Sequence, residues 1–570
     1  MDYENCQEES TASCVGVENT TAILRVGILI KDVENMENWE YSILEGIIEH
    51  PNLRLSLFIK DGRKQTHSPK DRFKKNILTP EIISNILYSF QMKIESRLFK
   101  QKTTVNTEDI INKIKNTETI YLNPVKKGAL DVFSAEDSDK IKSYGLDIIL
   151  KHEFNIIRGD ILDAARYGIW SYHHADNATN RGGPAGFWEI MNNEPCCGVT
   201  LQRLTPEFDG GLVIDKAWFN RHPYSCFSTN NNLLEKSVSL LFKNINKLIY
   251  RGNIETKKPL TYYNKLYRKP TLKYMLKYML KFYSRIFPRL YRKLFFLKRW
   301  GCWALFFGNG NFLESTLFRI KSISMPPKEF WADPFLYKCG GQLYVFFENY
   351  SYKTKRGKIS VGKIIESENG KYDVVDVLDI LDLDYHLSYP QIAEEDGEIF
   401  LIPETHQNNR LEVYRCVQFP DKWELYATAF NGENLVDTTY FQDENNDRWL
   451  LLNKGWTYEA ELHIYKIDNL KLENIIAHKL NPVIIDCKKG RNGGAIFKYE
   501  NEYYRPSQIN TYGIYGKGLQ ISKIKRITLD EFEDEPVISI EPNFTEGLRG
   551  IHHLHQLGNS FIFDACYKKL

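Results

Sequence analysis

The chain lacks most of the features that assign a class at a glance. Its 570 residues hold ten cysteines, none in a Cys-x-x-Cys pair, and two of them, Cys196 and Cys197, are adjacent. That spacing offers neither a zinc knuckle nor a disulfide framework, so reduced thiols and no metal site are expected. The formal net charge is only +2, too small to mark a polyanion-binding chain, and no RNA-binding motif is present. No nucleic-acid partner is therefore expected. No stretch approaches the ~20 uninterrupted apolar residues that a spanning helix needs. Residues 1–22 are polar and without an apolar core, which excludes a signal peptide there and predicts a disordered tail. A cytoplasmic protein is expected. No Gly-x-Gly-x-x-Gly follows the first apolar run, which removes the case for dinucleotide binding. Acidic residues are absent between Glu255 and Glu314, where fourteen Lys or Arg occur.

What is present begins with "LRVGILI" (24–30), the helical pattern "NWEYSILEGIIEHP" and "LRLSLFI" (53–59). Strand, helix and strand in that order predict a βαβ unit and a parallel sheet. Residues 60–115 read as a lysine-rich insertion of helices and loops. "YGLDIILKHEF" (144–154) predicts a buried strand, and "RGDILDAARY" (158–167) a helix capped by Asp160. The strand-like run from Gly168 to His173 follows. Its two-residue alternation sends Ser171 and His173 to one face and Tyr172 and His174 to the other. "NRGGPAGFWEIMNNEP" then predicts a tight turn and a helix, and "CGVTLQRLTPEFDGGLVIDKAWF" two strands around a turn.

Four pieces of this stretch occur in a telling order: Ser171-Tyr172-His173, Arg181-Gly182-Gly183-Pro184, Gly198-Val199-Thr200 and Asp209-Gly210-Gly211. Together they resemble the formyltransferase family that uses 10-formyltetrahydrofolate, over roughly residues 24 to 250. The resemblance implies an α/β Rossmann-like formyltransferase domain over 23–255, with 10-formyltetrahydrofolate as formyl donor. It also implies His173 as general base, Asp209 as the group tuning its charge, and donor contacts from Phe154, Ile157, Arg158, Gly159, Arg181, Gly182, Gly183 and Gly210. Where the family has an asparagine, this chain has Ser171, a hydroxyl in place of an amide donor, with His174 as a second donor. Formyl transfer needs both a proton acceptor and an oxyanion donor, and losing one such donor costs ~10²–10³ in rate.

Residues 256–313 form a basic bridge in which Lys269, Lys273, Lys277, Lys281, Arg285 and Arg289 recur every four positions. This spacing predicts a basic amphipathic helix, kinked or restarted at Pro288. Two roles stay open: peripheral contact with an anionic membrane face through 256–300, or a linker helix that packs its apolar side on a neighbour.

Residues 314–570 switch to short aromatic and β-branched strands. Five units share a strand, a polar turn and an aromatic strand, and their second strands start at Gln342, Glu398, Arg448, Glu502 and Ser560, 56, 50, 54 and 58 residues apart. The repeat predicts an all-β five-bladed β-propeller. "FWADPFLY" and "LVDTTYFQDENNDRWLLL" resemble arabinanase-type glycosidases, although "GRNGGAIFKY" has no glutamate where the family carries its acid. Hydrolysis would then require Glu404 as substitute. "HLSYPQIAEEDGEIFLIPETH", "FPDKWELY" and "RNGGAIFKYENEYYRPSQ" more closely resemble the amino-terminal domain of plant glucosamine inositol phosphorylceramide transferases. That resemblance implies a sugar-related propeller, with Asp333, His386, Glu404, Asp437, Arg491 and Gln508 as channel candidates. The combined expectation is an N-formyltransferase acting on the amine of a nucleotide- or lipid-linked amino sugar. The alternatives are a formyl or acyl hydrolase and a non-catalytic carbohydrate-binding protein.

Overall fold

A computed structural model describes residues 23–63, 79–100, 105–207, 210–295, 302–455 and 461–568. The chain divides into two compact units, one within Asn19–Leu297 and the other within Lys298–Leu570.

In the first unit a seven-stranded sheet is built from β1 (Leu24–Ile30), β2 (Leu53–Asp61), β3 (Thr119–Leu122), β4 (Ile148–Lys151), β5 (Ile169–His173), β6 (Cys196–Arg203) and β7 (Leu212–Asn220). The spatial order is β7-β6-β5-β4-β1-β2-β3. The first five strands pair in parallel, and β6 and β7 pair antiparallel at one side. Val26, Ile28 and Ile149 are fully buried, as expected for parallel strands covered on both faces. The strand order reverses between β1 and β4, the place where an open α/β sheet forms a crevice at its strand ends. Seven helices accompany the sheet among the described residues: α1 (Asn38–Glu49), α2 (Pro80–Leu98), α3 (Thr107–Ile114), α4 (Ala135–Lys142), α5 (Phe187–Met191), α6 (Cys226–Arg251) and α7 (Leu272–Leu294).

Two local expectations are corrected. The helix predicted over 158–167 is only a 3-10 turn, Asp160–Asp163, and its N-cap is Gly159 at φ 103, not Asp160. The chain must return to β5 within a few residues, and a left-handed glycine makes that reversal where a longer helix would overshoot. The basic helix α7 continues through Pro288 without a break. It belongs to the first unit, with Met275, Tyr278, Phe282 and Ile286 buried.

The second unit holds five antiparallel sheets among the described residues. Four follow one another along the chain: Glu329–Leu381, Ser388–Ala429, Leu435–Ala477 and Phe497–Ile540. The fifth joins the unit's first strand, Cys302–Asn309, to its last hairpin, Leu548–Leu557 with Ser560–Tyr567. Strands begin at Gln342, Glu398, Arg448, Glu502 and Ser560, the five positions that the repeat spacing picks out. The inner strands share a bulge: register slips between Ala332 and Phe335, between Ser388 and Gln391, and between Val436 and Thr439. At each slip one residue is left-handed, Asp333 at φ 50, Tyr389 at φ 48 and Asp437 at φ 48. A non-glycine residue held there is strained, and a bulge re-aims its side chain.

Gly494 shows how tightly the inner strands meet. Its φ is +129, and a β-carbon there would stand 1.8 Å from the carbonyl oxygen of Leu554. Gly494→Ala is therefore expected to destabilise the second unit by roughly 3 kcal/mol, the upper end of ordinary single substitutions. Chemical denaturation of the variant against the parent measures this; an unchanged midpoint would remove the close approach from the account.

Candidate functional site

The second unit carries a cavity of about 410 Å³ walled by carboxyls, histidines and aromatic rings. Two of the three bulges deliver acids into it, Asp333 and Asp437, while Glu348 and Glu404 arrive from second strands. Arg491 comes from the loop before Phe497. Trp303, Phe330, Tyr350 and Tyr515 supply the flat apolar surfaces.

Each charged group has a specific partner. Arg491 Nε donates to Asp437 Oδ2 at 2.5 Å, and Gln508 Nε2 donates to the same oxygen at 2.9 Å. The Asp437 amide donates to Glu404 Oε2 at 3.1 Å, while His406 Nδ1 lies 2.7 Å from Glu404 Oε1. His552 Nδ1 is 2.7 Å from Asp564 Oδ1, and its Nε2 is 3.6 Å from Asp333 Oδ1. The His552 ring stacks on Trp303 with centroids 3.8 Å apart. Gly357 N donates to His386 Nδ1 at 2.9 Å, which leaves Nε2 to face Glu348 Oε1 at 3.5 Å.

This arrangement drives the acids apart in protonation state. Burial pushes the Asp333 carboxyl up to about 8; His552 opposes this, while Asp564, Asp437 and Glu404 add to it. Glu348 is raised well above the usual range by burial and then by Asp333 and Glu404. Asp437 rises to about 6 through burial, held back chiefly by Arg491. Glu404 goes the other way: burial would raise it, but the His406 hydrogen bond and charge, with Arg491 and His386, pull it down to about 2. At neutral pH Glu404 is firmly ionised and Asp437 mostly ionised beside Arg491, while Asp333 and Glu348 stay largely protonated. That is the separation of roles by which paired carboxyls act as donor and acceptor.

Asp333, His552 and Asp564 also bring three ligand-type atoms within 4.8 Å of one another, the one such group among the described residues. Two of its three donors already bond each other, His552 to Asp564.

Five of the six channel candidates named from the sequence, Asp333, His386, Glu404, Asp437 and Arg491, line this one cavity. Gln508 does not; it sits behind Asp437, bonded to it and to the Asn492 carbonyl. Sequence reasoning missed Glu348, His406, Tyr350 and His552. The glutamate closing "LYVFFE" holds the same repeat position as Glu404 in "IFLIPE", and that register could have found Glu348.

In the first unit, His173 ends β5 and its Nε2 donates to the Asn180 carbonyl at 2.7 Å. Ser171 is buried, its hydroxyl turned to the Tyr172 carbonyl at 3.4 Å. His174 lies on the opposite face with Tyr172, ring centroids 5.4 Å apart, and burial holds it down to about 3. Asp209 lies outside the described residues. Arg181 donates to the carbonyls of Asn177 and Leu260 and lies over the Tyr262 ring. A β-carbon on Gly182 would stand 1.8 Å from the Tyr267 carbonyl oxygen, and Gly183 N donates to that oxygen at 3.3 Å. Phe154 and Ile157 are core residues, Arg158 bonds its neighbour's carbonyl, Ile157 O, Gly159 caps the 3-10 turn, and Gly210 accepts from the Thr205 hydroxyl at 3.2 Å. The crevice between β1 and β4 holds a cluster that the sequence reading did not single out: Trp39 stacked on His152, with His152 Nδ1 3.1 Å from Glu40.

Two tests follow from the pocket. Between 3.8 and about 8 native Asp333 keeps a proton that the unfolded chain releases. Its share of stability is therefore present below the unfolded value and lost as pH rises through that window, by up to about 1.4 kcal/mol per pH unit. Asp333→Asn should flatten this dependence, read as the difference between melting curves of variant and parent across pH; parallel curves would refute the protonated state. Arg491→Leu leaves Asp437 buried without its cation and should cost about 3–5 kcal/mol in urea unfolding. A loss below 1 kcal/mol, the value of a surface pair, would show that the ion pair is solvated.

Residues 317–554 match a family model described as glucosamine inositolphosphorylceramide transferase 1, N-terminal. The glucosamine inositolphosphorylceramide transferase 1 of Oryza sativa subsp. indica is 32% identical over 241 residues, 40% of this chain and 31% of the relative. That of Arabidopsis thaliana is 33% identical over 217 residues, 37% of this chain and 28% of the relative. The chain thus spans about a third of the length of the curated relatives it matches. Among solved structures, a sugar 3N-formyl transferase is 17% identical, covers 43% of this chain and 70% of its own, and has a TM-score of 0.26. A TM-score that low supports no statement about activity. The expectation that this chain is a formyltransferase is therefore corrected: the relatives that match by sequence carry the name of a glucosamine inositolphosphorylceramide transferase. What those matches share with the chain is the region of its second unit, and the relatives that hold it are transferases.

Proposed function

We propose that the second unit is a five-bladed β-propeller whose central pocket binds an amine-bearing sugar, and that the chain serves glycan or sphingolipid glycosylation. Five successive antiparallel sheets, with the first strand of the unit completing the last sheet, support the propeller reading. Glucosamine stands in the relatives' name, and the pocket suits that chemistry. The observation that carries the proposal is Glu404, held ionised down to about 2 beside the protonated Asp333 and Glu348 and aromatic walls. A sugar's apolar face lies on a flat ring, its hydroxyls meet the polar rim, and an ammonium group pairs with Glu404, Asp437 being already paired with Arg491.

A second reading, chemistry at a glycosidic bond, is favoured by one fact. Asp333 is neutral at pH 7 and can donate a proton, whereas Glu404 is anionic and can accept one or stabilise positive charge.

Calorimetric titration of the full chain with glucosamine, N-acetylglucosamine and glucose tests the first reading. Glucosamine should bind most tightly. Glu404→Gln should weaken it by roughly tenfold or more, the loss of a charged hydrogen bond, with glucose little affected. Equal affinity for all three sugars, or none for any, would end the proposal.

A further inference from the structure

Helix α7 has three faces where a packed surface helix ordinarily has two. Met275, Tyr278, Phe282 and Ile286, spaced three or four apart, are buried in the first unit. A second stripe, Leu276, Leu280, Phe287, Leu290 and Leu294, lies about a third of a turn away at 100° per residue. It faces solvent: Leu280 is 72% exposed, Leu294 71% and Phe287 61%. The third face is cationic, with Lys273, Lys277 and Arg285 all exposed.

Helix α2 packs beside α7 and exposes apolar side chains of its own. It is joined to α7 through Ser84 Oγ to the Pro270 carbonyl at 2.5 Å, Tyr283 Oη to Gln91 Oε1 at 3.1 Å, and Tyr278 Oη to Glu95 Oε1 at 2.6 Å. Its Phe90 and Ile86 are 59% and 52% exposed. Tyr283 stacks on Phe287 with centroids 5.4 Å apart, so the helix junction itself leads onto the exposed stripe.

We propose that the α2–α7 face docks on an anionic lipid surface. Exposed Leu and Phe beside lysines match the depth profile of a bilayer interface, apolar side chains entering the acyl boundary and cations meeting the headgroups. Charge selects the occupant. The exposed charges beside the stripe on α7, Lys273, Lys277 and Arg285, are all cationic, so two copies meeting through this face would set like charges against each other, which disfavours a self-interface. The inference is independent of the sugar pocket.

The test is co-sedimentation of the full chain with phosphatidylcholine vesicles, with and without phosphatidylserine. Binding should require phosphatidylserine and weaken with added salt. Lys273→Gln and Lys277→Gln should each weaken it by about fivefold. Leu280→Ser with Phe287→Ser should abolish it while the melting temperature holds, since both side chains are exposed. Absence of binding to phosphatidylserine vesicles would overturn the proposal, as would binding unchanged in both sets of variants. A concentration-dependent dimer in light scattering that the Leu280 and Phe287 variant disperses would assign the face to a second copy and overturn it equally.

Discussion

The ion pair between Arg491 and Asp437 is the constraint on which the second unit's site rests. Four carboxyls crowd one cavity, where burial favours the neutral form of each. Arg491 is the chief group lowering Asp437, and it adds to the larger effect of His406 in lowering Glu404, so the two charged carboxylates share one guanidinium. Its position is itself built: it lies over the Tyr515 ring with Cζ 5.1 Å from the centroid, and Gln508 holds the same Asp437 oxygen from behind. Asp437 reaches the cavity because a bulge places it in the left-handed region. Backbone strain and buried charge are thus spent at one place, where a ligand would meet them.

The first unit distributes its polar groups differently. At the end of β5, His173, Asn180, Glu189 and Gly182 form a chain of hydrogen bonds within the loop, and Arg181 with the glycines is fixed to residues 260–267. These groups set the shape of the strand end, and several that read as ligand contacts in sequence have protein partners in the fold. The crevice at the reversal of strand order is marked instead by Trp39, Glu40 and His152. Glu40 is buried, which would raise it, yet the hydrogen bond and charge of His152 keep it below the usual range.

Several parts of this architecture were legible in the residues alone. Strand and turn spacing located five second strands of the second unit to the residue, because alternation and turn chemistry are local. The parallel sheet followed from the order of apolar runs and helical patterns. Asp333, Glu404, Asp437 and Arg491 were legible as a group through the family resemblances of the segments that carry them. The failures were equally physical. Asp160 looks like a helix cap, but the return to β5 leaves room only for a 3-10 turn. Pro288 offered a place for the helix to restart, yet α7 runs on through it as one element, with Ile286 buried in the turn before.

By itself the sequence determined the periodicities: where strands begin and which helix is cationic. Those follow from interactions between near neighbours, and the chain carries them in its spacing. Only the tertiary structure decided which acid is ionised, that His552 and Glu348 join the site, that Gln508 stands behind it, and that α7 keeps an apolar stripe in water. Protonation and exposure are set by groups far apart in the chain and close in space, such as Asp333 with Asp564, 231 residues away. No local pattern records a field or a covered face, because both are sums over neighbours that the fold brings together.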